Sequence, residues 1–351
     1  MKFASIVEGI GLGLALVGAP FAFAGAAEKL VFSNWESYNP PDLFERFTAA
    51  TGIEVEFTTH ATNEEIMGKI VAAGGKGYDV VMVSSPYVEV LANLGYASEL
   101  DHGQIPKLAN LYPEAVNLPH DPGLRYSVPY SWGTTGLCYR PDLTGYDPDS
   151  WYDLLRPRDH LKGKITMTQT ERWLIGAGLI ALGYSVNSTD ADEINAARDL
   201  LIETKKSLLA FDDTTFYAKL VSGEAALVQA WDGWCNFGIA ENPDIKFVVP
   251  KEGSDLWVDS MVIMASSEHK EAAHKFIDFV LRPEIHAWVV ENILYKVPNA
   301  KAMELVDKEL LAAYPNLAMS PADMLKLEAL RDLGAAQKLY TRATTEIVSS
   351  Q

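Results

Sequence analysis

The run Asp79-Val-Val-Met-Val83 constrains the fold more than any other stretch of the chain. After its first residue it is continuously apolar, the pattern of a strand buried on both faces. Such a strand needs helices above and below it, and the flanking sequence supplies them. Lys29-Leu-Val-Phe-Ser33 reads as a short strand. Pro40-Pro41 opens a helix with Leu43, Phe44 and Phe47 on its apolar face, and Thr51-Gly52 stops it. Ile53-Glu-Val-Glu-Phe57 alternates as a second strand, and Glu64 to Ala73 forms a helix ended by Gly74-Gly75. Another helix follows Ser84-Ser85-Pro86-Tyr87. This β-α-β-α-β-α order predicts a doubly wound, largely parallel α/β sheet.

The chain has 351 residues, enough for two lobes with separate cores. From Leu100 to Tyr126 it is irregular, with four prolines. Ser127 to Tyr139 then reads as an extended crossover into a second lobe. That lobe contains strands at Lys164–Thr168, Ala226–Trp231 and Ile245–Pro250, and helices near Thr170–Leu182 and Asp190–Lys205. Trp257 to Ala265 is an extended return segment, His269–Val280 and Pro283–Asn292 are helices, and Ala302 to Val348 is mostly helical.

Ligands of open α/β sheets bind beyond the carboxyl ends of strands. Trp35 to Tyr38 and Ser85 to Tyr87 occupy that position. Trp231-Asp-Gly-Trp234 and Leu256-Trp-Val-Asp-Ser260 repeat the chemistry of Asn34-Trp-Glu-Ser-Tyr38: indole or phenol rings beside a carboxylate. A ring face attracts a cation, and a carboxylate accepts its N–H bonds, so the three clusters together point to an organic cation. Taken singly, each cluster also fits core rings and solvated acids, with Asp232 as a helix N-cap and Trp234 in the core.

A net charge of -18 argues against a nucleic-acid partner. Lys2, the apolar stretch Ile10 to Phe23 and Ala22-Phe-Ala24 match a cleaved secretory signal over residues 1–26, with cleavage after Ala24 or Ala26. Cys138 and Cys235 are too few for a disulfide framework. They are read as unpaired buried thiols, an oxidising compartment leaving a disulfide as the alternative. Nucleophile-elbow, zinc-protease and phosphate-loop motifs are absent, so no enzyme, cofactor or metal is expected. His269 and His274 are expected to face solvent from a charged helix.

Several segments carry a resemblance beyond these readings. Val31-Phe-Ser-Asn-Trp-Glu-Ser-Tyr-Asn-Pro-Pro41, Gly77-Tyr-Asp-Val-Val81, Val128-Pro-Tyr-Ser-Trp-Gly-Thr-Thr135, Leu182-Gly-Tyr-Ser185 and Val249-Pro-Lys-Glu-Gly253 resemble the bacterial periplasmic spermidine/putrescine-binding proteins. So do Trp257-Val-Asp-Ser260, Leu281-Arg-Pro-Glu284, Tyr295-Lys-Val-Pro-Asn299 and Leu333-Gly-Ala-Ala336, in order along the chain. The resemblance implies a two-lobed periplasmic-binding-protein fold, each lobe a mixed, mostly parallel sheet flanked by helices. Lobe 1 would be 28–132 with 260–299, and lobe 2 would be 133–259 with 300–351. It also implies a monomeric periplasmic receptor that closes by hinge motion on a polyamine and delivers it to an ABC permease in the inner membrane.

Carried over individually, Trp35, Tyr38, Ser85, Tyr87, Trp231, Trp257, Asp259 and Tyr295 match in type. Rings would sandwich the methylene chain, Asp259 would hold an amine, and Glu36 would lie near the amine end. The pattern departs at the far end. Thr170 and Trp173 stand where a pair of acids is expected, with Glu171 out of register, and Leu330 stands for a glutamine. Either Glu171 or Asp232 compensates, or the ligand is a shorter or monocationic amine. Trp173 then either lines the cavity and shortens it, or points into the lobe 2 core and leaves Glu171 to face the ligand.

Overall fold

Val80–Ser84 is a strand with every residue buried, and its alternate side chains enter two different cores. Val80 and Met82 pack with Leu30, Phe32, Leu43 and Phe47, whereas Val81 and Val83 pack with Ile66, Ile70, Val88 and Leu91. Period-2 alternation thus explains why a continuous apolar run is needed there. The computed structural model describes residues 29–350, so the signal-like segment 1–26 and Glu28 lie outside the described residues.

In chain order the strands are β1 (Lys29–Trp35), β2 (Glu54–His60), β3 (Val80–Ser84), β4 (Ser127–Tyr139) and β5 (Ile165–Met167). They continue with β6 (Ala210–Phe211), β7 (Leu227–Trp231), β8 (Lys246–Val248), β9 (Asp255–Ile263) and β10 (Glu328–Ala329). The sheet order is β2-β1-β3-β9-β4-β7-β5-β6, with β10 beside β9 and β8 beside β4. One wing is parallel, β1 pairing with β2 and β3; so is the other, β5 pairing with β6 and β7. Between the wings β9 runs antiparallel to β3 and β4, and β4 antiparallel to β7. The sheet is therefore mixed. The extended crossover and the return segment are its two longest strands, and they join the wings side by side.

Helices cover each wing for reasons visible in their sequences. Phe276, on the helix Lys270–Val280, lies 5.1 Å from the Phe32 ring and 5.2 Å from Phe47, closing the core under β1. The helix Glu171–Ala181 is buried from Arg172 onward, which suits its nearly all-round apolar sequence. Asp190 caps the next helix, Ala191–Lys205, by accepting the N–H groups of Asp192 and Glu193.

The C-terminal stretch is mostly helical, in pieces broken by β10, since Pro315 and Pro321 restart the chain. Three expectations need correction. The first helix starts at Leu43, with Asp42 rather than Pro40-Pro41 at its entry. His274 is buried: its Nε2 accepts the Asp101 N–H, and its ring faces the core side of its helix. Cys138 and Cys235 are bonded, across a sequence separation of 97. β4 and the helix Asp232–Glu241 pack in one buried cluster with Val228 and Ala230, so both thiols face the same small core.

Closing so long a loop should stabilise the folded chain by about 2–4 kcal/mol. Melting in the presence of a reductant is expected to show that loss. Cys138→Ala with Cys235→Ala should show the same loss and no further sensitivity to reductant; a melt unmoved by reductant that reaches the bond would rule it out as a staple.

Candidate functional site

β1 ends in Trp35, and the chain doubles back through Ser37, a non-glycine residue at φ 59. This turn sets the Tyr38 ring edge-on to Trp35, centroids 5.6 Å apart. The Tyr38 hydroxyl lies 2.7 Å from Ser131 Oγ and donates to Asp259 Oδ2 at 2.9 Å. Asp259 Oδ1 accepts from Ser84 Oγ at 2.7 Å, and Asn63 Nδ2 in turn donates to Ser84 Oγ at 3.1 Å. Tyr295 enters from the opposite direction. Leu294, at φ 53, ends the helix Pro283–Ile293 in the left-handed region and redirects the chain. The Tyr295 ring then stands 5.3 Å from Tyr38 and 5.5 Å from Trp257, both edge-on.

A second group lies further along β9. Trp173 and Trp231 meet at 88° with centroids 5.4 Å apart. The Trp173 indole N–H donates to Asp255 Oδ2 at 3.1 Å. Asp232 is the first residue of its helix, with Trp231 at the N-cap position, so it is not itself the cap. Its Oδ1 accepts the Gly233 N–H at 2.9 Å. Gly133 makes room here: a Cβ would come within 2.2 Å of Trp257 Cζ2 and 2.4 Å of Asp232 Oδ1. Trp234 packs between Tyr217 and Phe237.

The remaining candidates separate from these two groups. Glu36 is exposed. Ser85 Oγ donates to the Leu330 carbonyl at 3.2 Å, and it is the preceding Ser84 that reaches Asp259. The Tyr87 hydroxyl donates to the Glu64 carboxylate. Glu171, at the start of its helix, accepts from the Gln337 side-chain amide. Leu330 is fully buried. Sequence reading missed Ser84, Ser131, Asp255 and Lys296. Asp255 had a legible signal, because the alternation in Asp255-Leu-Trp-Val-Asp259 puts both acids and the indole on one face.

The electrostatics follow from burial. Desolvation pushes Asp259 up to about 6 against its hydrogen bonds from Ser84 and Tyr38. Asp232 is pushed up to about 8 by burial, opposed by the Gly233 and Thr134 N–H groups. Lys296 beside it is pulled down to about 8, also by burial, and the charge of Asp232 works the other way. Burial raises Asp255 as well, opposed by hydrogen bonds from Trp173 and Ser254. Tyr38 and Tyr295 are both raised well above the usual phenol value, by desolvation first and by neighbouring carboxylates second.

Residues 42–319 match the family described as bacterial extracellular solute-binding protein. The spermidine/putrescine-binding periplasmic protein of Escherichia coli K12 is 35% identical over 335 residues, covering 93% of this chain and 94% of that one. A putrescine/cadaverine-binding protein of Pseudomonas aeruginosa is 31% identical, covering 93% and 94%. A solved structure from Listeria monocytogenes, assigned to a spermidine/putrescine ABC transporter, superposes with a TM-score of 0.86 at 32% identity, covering 92% of this chain and 100% of that one.

A carboxyl raised by folding favours the folded state most at low pH. That contribution is lost as pH rises from the unfolded value near 4 through the folded value of about 6 for Asp259. The ligand-free protein should therefore melt at progressively lower temperature across that window. Asp259→Asn should flatten the dependence and stabilise the ligand-free protein at neutral pH by about 1–3 kcal/mol. Calorimetric melts across the window check this; a variant less stable than wild type at neutral pH would contradict it.

Proposed function

The chain belongs to the bacterial extracellular solute-binding proteins and, within them, to the periplasmic spermidine/putrescine-binding protein family, and we propose that it is a periplasmic polyamine receptor serving an ABC importer. Its fold is the two-lobed α/β fold of periplasmic binding proteins. The observation that carries the ligand class is Asp259: a half-buried carboxylate held by neutral donors, with no cation bonded to it among the described residues, inside a ring box of Trp35, Tyr38, Trp257 and Tyr295. A buried carboxylate without a counter-charge is costly, and a ligand ammonium would supply one. The rings would cover the methylenes and add cation–ring attraction.

In this reading, lobe 1 is 28–132 with 260–299 and lobe 2 is 133–259 with 300–351. Export follows cleavage of the signal after Ala24 or Ala26, and the receptor works as a monomer that hands its amine to the permease in the inner membrane. Closure turns on segments near Trp132-Gly133, Asp259-Ser260 and Asn299-Ala300. Ser85, Tyr87 and Glu171 border the cleft rather than grip the first ammonium, since each is bonded elsewhere. A shorter or monocationic amine is the second reading, favoured by Trp173 standing where the family pattern has an acid.

A thermal-shift screen of putrescine, cadaverine, spermidine, choline-like and guanidino compounds is the direct test. A ligand at about 100 times its dissociation constant should stabilise by about 2.7 kcal/mol. No shift with any amine would end the reading. Asp259→Asn should weaken the best amine by about 2–5 kcal/mol, 30-fold or more, while the protein still folds. Wild-type affinity should also fall as pH drops through about 6, because Asp259 loses its charge there while an alkylammonium keeps its own. Titration calorimetry of both proteins over that range decides it, and affinity independent of pH would remove Asp259 from the amine.

A further inference from the structure

β9 and β4 pair antiparallel with Ser131 opposite Asp259 and Gly133 opposite Trp257. Continuing that register places Thr135 opposite Asp255. Directly opposed side chains share a face. The face therefore reads, from one end to the other, acid beside hydroxyl, indole beside glycine, acid beside hydroxyl. The residues between, Leu256 and Val258, face the other way into a core with Trp132 and Met324. The two acids also lie at opposite ends of the strand's surroundings. Asp259 pairs with Ser84 of β3, and Asp255 pairs with Glu328 of β10.

Whereas Asp259 is half-buried, Asp255 is more enclosed, at 3% exposure. Its hydrogen-bond donors are neutral: Trp173 Nε1 at 3.1 Å and Ser254 Oγ at 3.3 Å. No cation is bonded to it among the described residues. Arg172 donates to the Arg331 carbonyl and to Asn187 Oδ1, and its charge reaches Asp255 only from a distance. The charge of Lys296 acts on Asp232. Between the two acids the Trp257 indole is buried, and its Nε1 has no hydrogen-bond partner among the described residues. A buried and a half-buried carboxylate, neither bonded to a cation among the described residues, flank an indole face on a single strand. One external ammonium answers only one of them.

We propose that Asp255 is the second ammonium anchor of the polyamine site. This rests on the functional reading above and gives the ligand a length and an orientation. The ligand is a linear dication laid along β9, its methylenes over Trp257, one ammonium on Asp259 and the other on Asp255. Four residues of strand span roughly 13 Å. An ammonium–carboxylate bond of about 2.8 Å at each end leaves roughly 7–8 Å between nitrogens, a chain of about four or five methylenes. Trp173 acts as a positioning residue here: its indole N–H aims the Asp255 carboxyl, and with Trp231 it walls the far end. The acid that the family pattern has on the helix Glu171–Ala181 is thus replaced by an acid on β9.

The test is titration calorimetry of the full mature chain with linear α,ω-diamines of rising length, their matched alkyl monoamines, and spermidine. Wild type should prefer a diamine over the equally long monoamine, with its optimum at about four or five methylenes. Asp255→Asn should cut diamine affinity about 30-fold or more, to the level of the monoamine, and leave monoamine affinity unchanged. Asp255→Glu, which extends the carboxyl by one carbon, should move the optimum to a diamine one methylene shorter, and it decides the matter if the asparagine variant does not fold. An unchanged diamine-to-monoamine ratio in Asp255→Asn, or an unmoved optimum in Asp255→Glu, overturns the second anchor while leaving the receptor reading intact. A wild type that binds no amine overturns the receptor reading itself.

Discussion

A half-buried carboxylate without a counter-charge sits where the two wings of the sheet meet, and the surrounding structure is arranged to hold it. Asp259 accepts from Ser84 at the end of β3 and from Tyr38 after β1. Its neighbour across β4 is Ser131, which is bonded to the same tyrosine. Three strands and one turn therefore meet at one oxygen pair. Neutral donors lower the cost of the charge without cancelling it, which leaves the group poised near neutrality in the ligand-free state. Two residues in the left-handed backbone region, Ser37 and Leu294, lie directly before the two tyrosines that complete the box. Strain held at such positions is characteristic of sites where side-chain placement matters.

β9 separates two tasks by its pleat. Its odd-numbered residues Asp255, Trp257 and Asp259 line the site. Its even-numbered residues Leu256 and Val258 belong to an apolar cluster with Trp132, Ala115 and Leu118. The polar face can therefore vary in chemistry without removing an apolar side chain from the core. Gly133 is the backbone counterpart of this economy, since the absent side chain is what lets Trp257 and Asp232 share one space.

The parallel wing was legible because periodicity reports burial directly. A run of apolar residues at 80–83 and clean alternation at 53–57 leave few alternatives once helices intervene. The mixed centre of the sheet was harder, because Ser127–Tyr139 is buried along its whole length and shows no alternation to mark it as a strand. Short pieces such as β6 and β10, with two residues each, carry no periodic signal at all. Within the site, residue types identified Trp35, Tyr38, Trp257 and Asp259 as chemically suited, the family resemblance added Tyr295, and the structure brings these five together. Ser84 rather than Ser85 touches Asp259, because Ser84 ends β3 beside Asp259 of β9, whereas Ser85 opens the next helix and turns to the Leu330 carbonyl. Glu36 is turned outward by the same reversal at Ser37 that brings Tyr38 in. The disulfide depended on a distance between β4 and a helix far along the chain, which spacing cannot supply.

Polar contacts bridge the first wing and the segment after β10. Ser85 donates to the Leu330 carbonyl, and Glu89 pairs with Arg331 and accepts the Asp332 N–H. The Arg331 side chain is 43% exposed, and a solvent-screened pair of this kind contributes about 0–1 kcal/mol. These bonds fix the register of approach but supply little energy to hold it. Asp259 is anchored to β3 in the first wing and Asp255 beside β10, so a dication lying between them touches both sides of the junction. A ligand shifts a conformational balance only by its differential affinity for the two states. Asp255 and Asp259 stand on one strand and share its face, so a dication of matching length meets both acids in an open or a closed arrangement, and β9 alone reads ligand length. Closure must draw its differential affinity from groups outside β9, such as the Tyr38 and Tyr295 rings.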